Sequence, residues 1–257
     1  MSLEPLLRYW RAQDELFDRV DPLWWGAVVS DPRYPRVQEP NYARVETRQP
    51  VGLAEVEAPL LPAMRRSGSR RAHVVVFHPE DQTALVVEAS TRGERIVWDL
   101  VMEHPGHRTD GEGLVTELRD LDGSFWTAHR ASLRAFDVVD DRLVDELQTL
   151  ERDRFLPAGR RWFAVRVDGR IEALAALLVL EGVGYLDHVV TLPRARRQGF
   201  ARALTGRAVA EATAAGAERT YLLAEPDGVA ARMYEAIGFT PVAQIASWIS
   251  DLEASGA

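Results

Sequence analysis

The residues best suited to chemistry in this 257-residue chain lie in Val189–Leu204, VVTLPRARRQGFARAL. An apolar, β-branched run meets Pro193 and three arginines, then Gln198-Gly199-Phe200-Ala201 and the start of an amphipathic helix. A strand that turns through glycine into a helix gathers the unpaired N–H groups of the first helical turn at one point. The positive end of the helix dipole lies behind them. An anion suits such a place, most often a phosphate. Small residues at Gly199 and Ala201 let a ligand approach the backbone closely. The segment reads as a cradle for a diphosphate, although glycine also serves many strand–helix turns for geometry alone.

Two motifs carry a resemblance. Arg196-x-x-Gly199-x-Ala201 resembles the Gln/Arg-x-x-Gly-x-Gly/Ala signature of the GNAT acetyltransferase superfamily, and Leu192-Pro193 sits where that family's strand ends. Further on, an apolar run at Tyr221–Ala224 precedes Pro226–Phe239, PDGVAARMYEAIGF. This resembles the family's second motif, a helix with a tyrosine followed by Gly-Phe. The likeness extends loosely over residues 112–250. It implies acetyl-CoA as cosubstrate, with the N–H groups of Arg197, Gln198, Gly199, Phe200 and Ala201 holding its pyrophosphate. The side chains of Arg196, Arg197 and Arg202 could add charge-assisted bonds to phosphate, though not all three can point there. Val190 and Leu192 belong to the strand whose free backbone groups would pair with the pantetheine arm.

The resemblance implies transfer of an acetyl group to a primary amine by direct attack in a ternary complex, because no cysteine is present as an acyl carrier. Tyr234 matches the family's tyrosine. A phenol of pKa about 10 can give a proton to a thiolate whose conjugate acid lies near 8.5. For the base, Asp187 and His188 lie near where related enzymes place an acidic residue, and Glu225 ends the next strand. Strand alternation would send Asp187 and His188 to opposite faces, so one of them at most would face the substrate. Each has an ordinary surface or hydrogen-bonding role as its alternative. The competing class is a non-catalytic acyl-CoA sensor or scaffold. No metal site is expected: His104-x-x-His107 lies in a Pro-Gly stretch with no cysteine nearby.

These residues need a scaffold, and the chain supplies an α/β (α+β) pattern. In the second half, Gly113–Arg119 reads as a strand, and helical segments run from Ser124 to Leu150. Arg161–Val167 and Ile171–Glu181 form a hairpin around Asp168-Gly169. Tyr185–Leu192 feeds the cradle, and Val229–Ile237 and Val242–Ser250 follow as helix and strand. The first half begins with an apolar face over Leu3–Val20, then strands at Trp24–Ser30 and Tyr42–Glu46. Gly52–Arg66 reads as a helix that Pro59 and Pro62 would kink or split. A strand at Ala72–Phe77, a helix at Pro79–Thr91 and a strand at Ile96–Glu103 complete it. The expected fold is a mixed, mostly antiparallel GNAT-like sheet flanked by helices. The expected division is a degenerate GNAT-like or accessory domain at 1–108 and a GNAT domain at 112–257, joined through the linker-like His104–Gly113.

Composition narrows the partners. A net charge of −8 argues against nucleic acid and mildly favours a cationic acceptor, either a small molecule or a peptide amine. No apolar run approaches the length of a membrane span, and no secretory signal layout is present, so the cytoplasm is the expected compartment. All 31 basic residues are arginine, so side-chain lysine autoacetylation is impossible. The acceptor is expected in a cleft between the halves, and a homodimer is compatible with the family resemblance.

Overall fold

The computed structural model describes residues 3–106 and 114–252. The chain folds into two compact units. The first takes the chain up to Leu100 and again from Ala243, and the second is Val101–Val242. This divides the chain differently from the expected 1–108 and 112–257. Most of the linker-like stretch, including His107, lies outside the described residues.

In the first unit, α1 (Glu4–Asp14) is followed by β1 (Arg19–Leu23), β2 (Gly26–Ser30) and β3 (Tyr42–Val45). Next come α2 (Leu53–Ser67), β4 (Arg71–Val76) and α3 (Thr83–Thr91). β5 (Val97–His104) leads out of the unit. The apolar face expected to run as helix to Val20 stops at Asp14. Val20 instead pairs with Val29 in an antiparallel ribbon. Periodicity alone could not separate the two, because Leu16 and Phe17 fit a helical stripe while Phe17 is buried in the turn after the helix. Helix α2 continues through Pro59 and Pro62 without splitting. It buries Val56, Leu60, Ala63 and Met64 against Trp25, Val74 and Trp248, and this packing outweighs the missing helical hydrogen bonds.

In the second unit, β6 (Val115–Leu118) precedes α4 (Gly123–Ala135) and α5 (Asp141–Leu150). A π-helical turn at Glu151–Phe155 leads to β7 (Arg161–Val167), β8 (Arg170–Leu180) and β9 (Val183–Thr191). A 3₁₀ turn (Pro193–Ala195) enters α6 (Phe200–Ala214), followed by β10 (Arg219–Ala224) and α7 (Val229–Glu235). β11 (Thr240–Asp251) then returns to the first unit, where Ala246–Asp251 pair with Arg71–Val76 of β4. That pairing is the physical reason the C-terminal strand belongs with the first unit.

The sheet of the second unit runs β10-β9-β8-β7-β6. β9 and β10 are parallel and the other pairs antiparallel. Alternation along β7 assigns the helices to its two faces. Trp162 packs on Phe125 of α4, while its neighbour Arg161 reaches Glu211 of α6. The architecture is mixed and mostly antiparallel, with helices on the sheet, as the sequence pattern indicates.

Two irregularities of β9 set the surroundings of the cradle. Pairing of β10 with β9 runs from Arg219↔Val183 to Tyr221↔Tyr185 and ends there. Beyond it, β9 carries on through Thr191 as a strand held on the β8 side. On that side, Leu174 pairs with Val190 and Ala176 with Asp187, so His188 and Val189 together oppose Ala175. This is a β-bulge, and His188 takes a left-handed backbone conformation within it, with φ +54°.

Candidate functional site

A strand, a 3₁₀ turn and a helix follow one another through the segment the sequence singles out. After the 3₁₀ turn, Arg197 and Gly199 both adopt positive φ, +66° and +80°. Gly199 is the N-cap of α6. Ala203 is the first residue of the helix whose N–H finds an acceptor, the Gly199 carbonyl at 3.0 Å. Among the described residues, no acceptor is present for the N–H groups of Arg197 through Arg202. A Cβ built on Gly199 meets no atom within 4 Å, so the space in front of the turn is open. Clustered free donors at a helix N-terminus, with room before them, fit a diphosphate. Phe200 is buried beneath the turn and anchors it, while Arg197 and Gln198 are exposed.

The arginines divide their work. Arg194 pairs with Glu172 at 2.8 Å, and the Arg196 Nε–H reaches back to the Thr191 carbonyl at 3.3 Å. Arg202 donates to the Ala236 carbonyl at 3.3 Å. Arg197 lies in the turn and Arg202 on the first turn of the helix.

One member of the expected pantetheine strand is spent internally. The Leu192 N–H donates to the Glu172 carbonyl at 2.9 Å, and the Leu192 carbonyl accepts from Ala195 N–H at 2.8 Å. Leu192 therefore has no backbone donor to offer a ligand. Val190 is buried on the α4 face with Phe125 and Trp162. The backbone left open by the splay from β10 belongs to the segment between Leu186 and Thr191.

Asp187 and His188 both face the α4 side, which overturns the expectation of opposite faces. The bulge inserts an extra residue and cancels the alternation. Asp187 Oδ2 accepts from Arg160 at 2.6 Å, and Oδ1 accepts from the His188 N–H at 2.7 Å. The His188 ring stacks on His129, with centroids 5.0 Å apart and planes within 11°. It also meets Trp162 and Phe136 edge-on. The Ser132 hydroxyl donates its one proton to the His129 carbonyl, at 2.7 Å. The 2.5 Å contact from His188 Nε2 to Ser132 Oγ is then an N–H donating to oxygen, which leaves Nδ1 as the ring's acceptor. Burial pushes His188 down to about 3, with the Arg160 charge adding to it. His129 falls to about 2, again chiefly through burial. Both imidazoles are neutral at neutral pH.

Behind Asp187 lies a group of residues whose role the sequence does not announce. Glu151, 3% exposed and carried on the π-helical turn, accepts from Arg160 on one oxygen (3.0 Å) and from the Trp162 indole N–H on the other (2.7 Å). Arg160 also lies over the Phe155 ring at 4.1 Å. Their signal is weak, because ERDRF reads as a charged, solvated helix end and Arg160 sits 27 residues from its partner Asp187.

Tyr234 is buried on α7, with its ring tilted against Phe239 at 5.8 Å. The turn after it closes when Phe239 N–H donates to the Tyr234 carbonyl at 3.1 Å. Gly238 carries φ +112° there, and a Cβ on it would crowd His104 Nε2 at 3.1 Å. Burial, reinforced by the negative charge of Asp187, pushes the phenol up to about 12. The structure thus brings Tyr234 and Asp187 into one electrostatic neighbourhood. It leaves Glu225 apart. That residue is exposed in the turn after β10, where its carbonyl accepts Gly228 N–H at 3.1 Å. Among the described residues, its carboxylate joins neither Asp187 nor Tyr234.

Comparison with known proteins agrees with this geometry. The model of the acetyltransferase (GNAT) family matches residues 117–239. No curated protein matches the sequence. Among solved structures, a functionally unknown conserved protein from Staphylococcus epidermidis aligns over 98% of both chains, with TM-score 0.71 and 10% identity. A GCN5-related N-acetyltransferase from Kribbella flavida aligns over 95% of both chains, with TM-score 0.60 and 21% identity. A tandem GNAT protein from the clavulanic acid biosynthesis pathway aligns over 77% of this chain and 69% of its own, with TM-score 0.52 and 10% identity. At these identities the likeness is one of fold.

Proposed function

Residues 117–239 are a GNAT-family acetyltransferase domain, and from that premise we propose that the chain transfers the acetyl group of acetyl-CoA to a primary amine by direct attack in a ternary complex. The observation that carries this reading is the row of unpaired N–H groups from Arg197 to Arg202 before an open space at Gly199. When bound, acetyl-CoA supplies the activated acetyl group as a thioester.

The chain's own residues do the rest. The cradle holds the diphosphate at the N-terminus of α6, with Arg197 and Arg202 adding charge at its mouth. The parting of β9 from β10 after Tyr185 opens a slot in which a peptide-like arm can lie against the β9 backbone. Tyr234, protonated throughout the neutral range, donates from its hydroxyl toward the departing sulfur. Asp187, whose negative charge bears on that phenol, attracts the cationic acceptor. With both its oxygens engaged, it acts as an electrostatic anchor for the amine, and a proton leaves the amine to water. Neutral His188 completes an apolar wall that keeps bulk water from the thioester. The first unit is proposed as a degenerate copy of the same kind of unit, with no cradle of its own.

Incubation with acetyl-CoA and a panel of primary amines, read by free-thiol release, tests this reading. Thiol release that depends on the amine supports transfer. Tight acetyl-CoA binding with no thiol release from any amine supports the sensor or scaffold alternative.

A further inference from the structure

A cleft of about 690 Å³ lies within the second unit, lined by Leu118, Asp120, Leu121, Leu156, Arg160 and Trp162 among others. Its lining is partly apolar, and Arg160 belongs both to the cleft and to the Asp187 ion pair. The three charges in the chain Glu151–Arg160–Asp187 are not equally held. The Glu151 and Arg160 side chains are 3% and 8% exposed, while Asp187 is 46% exposed. The inner link is therefore a buried ion pair, and breaking it would strand a charge in a low-dielectric site. The outer link is wet on its Asp187 side only, where water can compete with the guanidinium for the carboxylate. Arg160 is fixed further by Phe155, and Glu151 by the Trp162 indole. Asp187 keeps its own place without Arg160, because the bulge aims the His188 N–H at its other oxygen.

We propose that the acceptor enters through this cleft as a primary alkylammonium with an apolar body, and takes over Asp187 from Arg160. Glu151 keeps the released guanidinium compensated. The proposal rests on the acetyltransferase reading above and adds to it the acceptor's route, its class and the group it displaces. No bond is made or broken in the exchange; one cation replaces another on a fixed carboxylate. Leu118, Leu121 and Leu156 give the apolar body its surface, while the carboxylates of Glu117, Asp120 and Asp122 in the lining are matched by the guanidinium groups of Arg119, Arg160 and Arg161.

The test uses the full chain with acetyl-CoA and three amines, phenethylamine, butylamine and spermidine, read by thiol release. The first variant, Arg160→Lys, leaves a cation beside buried Glu151 but cannot span both carboxylates as a planar fork does. The second, Glu151→Gln with Arg160→Met, removes both buried charges together. Both should lower the acceptor KM by about threefold, the size of a lost competing surface pair. Asp187→Asn should raise it by about tenfold, as loss of a charge-assisted bond does. The KM for acetyl-CoA should stay unchanged in all of them, and phenethylamine and butylamine should be favoured over spermidine. An acceptor KM unmoved or raised in the Arg160 variants overturns the exchange. So does a wild-type protein that binds acetyl-CoA but accepts none of the amines, or only spermidine. Failure of the wild type to bind acetyl-CoA is a separate result, and it overturns the transferase reading beneath.

Discussion

A phenol raised to about 12 is a weak acid and a reliable hydrogen-bond donor at every neutral pH. Tyr234→Phe removes that donor while keeping the ring against Phe239. Its kcat should fall about 100-fold, the low end for a lost general acid, with acetyl-CoA affinity unchanged; an unchanged kcat would remove Tyr234 from the mechanism. The histidine pair makes a separate prediction, about stability. His188 and His129 titrate at about 3 and about 2 when folded, both below an unfolded value of about 6.5. The unfolded chain therefore binds more protons below pH 6.5, and their contribution to stability is whole above that pH and lost as pH falls towards 3. Each neutral histidine costs about 1.4 kcal/mol per pH unit in that window. Denaturant unfolding at several pH values should show a stability that falls with acid, and His188→Gln should remove about half of the histidine share. An unaltered slope in His188→Gln would mean that this imidazole is protonated in the folded protein. At this scale, the sequence could single out only residues whose context is local. Gly199 and Tyr234 sit in contiguous motifs, whereas Arg160 and Glu151 gain their meaning only from partners across the sheet.

Elements were legible where the pattern of one strand or helix decides the outcome, and illegible where pairing does. The cradle strand, the helix after it and the Asp168-Gly169 hairpin follow from alternation and turn chemistry. The bulge does not, because it exists only in the register of β9 against β8. That one inserted residue places Asp187 and His188 on the same face, where alternation had separated them. Likewise, the stop of α1 at Asp14 is set by the pairing of β1 with β2. The persistence of α2 through two prolines shows packing prevailing over propensity. Pro62 is exposed, so it contributes little burial while denying the helix an interior hydrogen bond. Pro62→Ala should raise the stability of the first unit by about 1 kcal/mol, and an interior proline can cost as much as about 3. Denaturant unfolding followed by tryptophan fluorescence would show this, and a loss of stability would mean that the proline is matched to a helix already bent there.

At the scale of the molecule, composition suggested a boundary near residues 104–113 but could not show how the chain is shared between two compact units. The first unit needs the last strand: Ala246 and Trp248 sit in its core with Trp25 and Met64, although about 140 residues of the other unit intervene. A fragment of residues 1–108 should therefore fail to fold cooperatively, and Trp248→Ala should cost about 3–5 kcal/mol. A cooperative melt of the 1–108 fragment would show instead that the strand is dispensable. None of the described helices is long and apolar enough to cross a membrane. The central claim concerns the second unit, and calorimetric titration of the whole chain with acetyl-CoA, alongside Gly199→Glu, tests it most directly. The account predicts micromolar binding by the wild type and none by the variant, whose added carboxylate would occupy the space before the N–H groups of the cradle. Binding of equal strength by both proteins, or by neither, would contradict it.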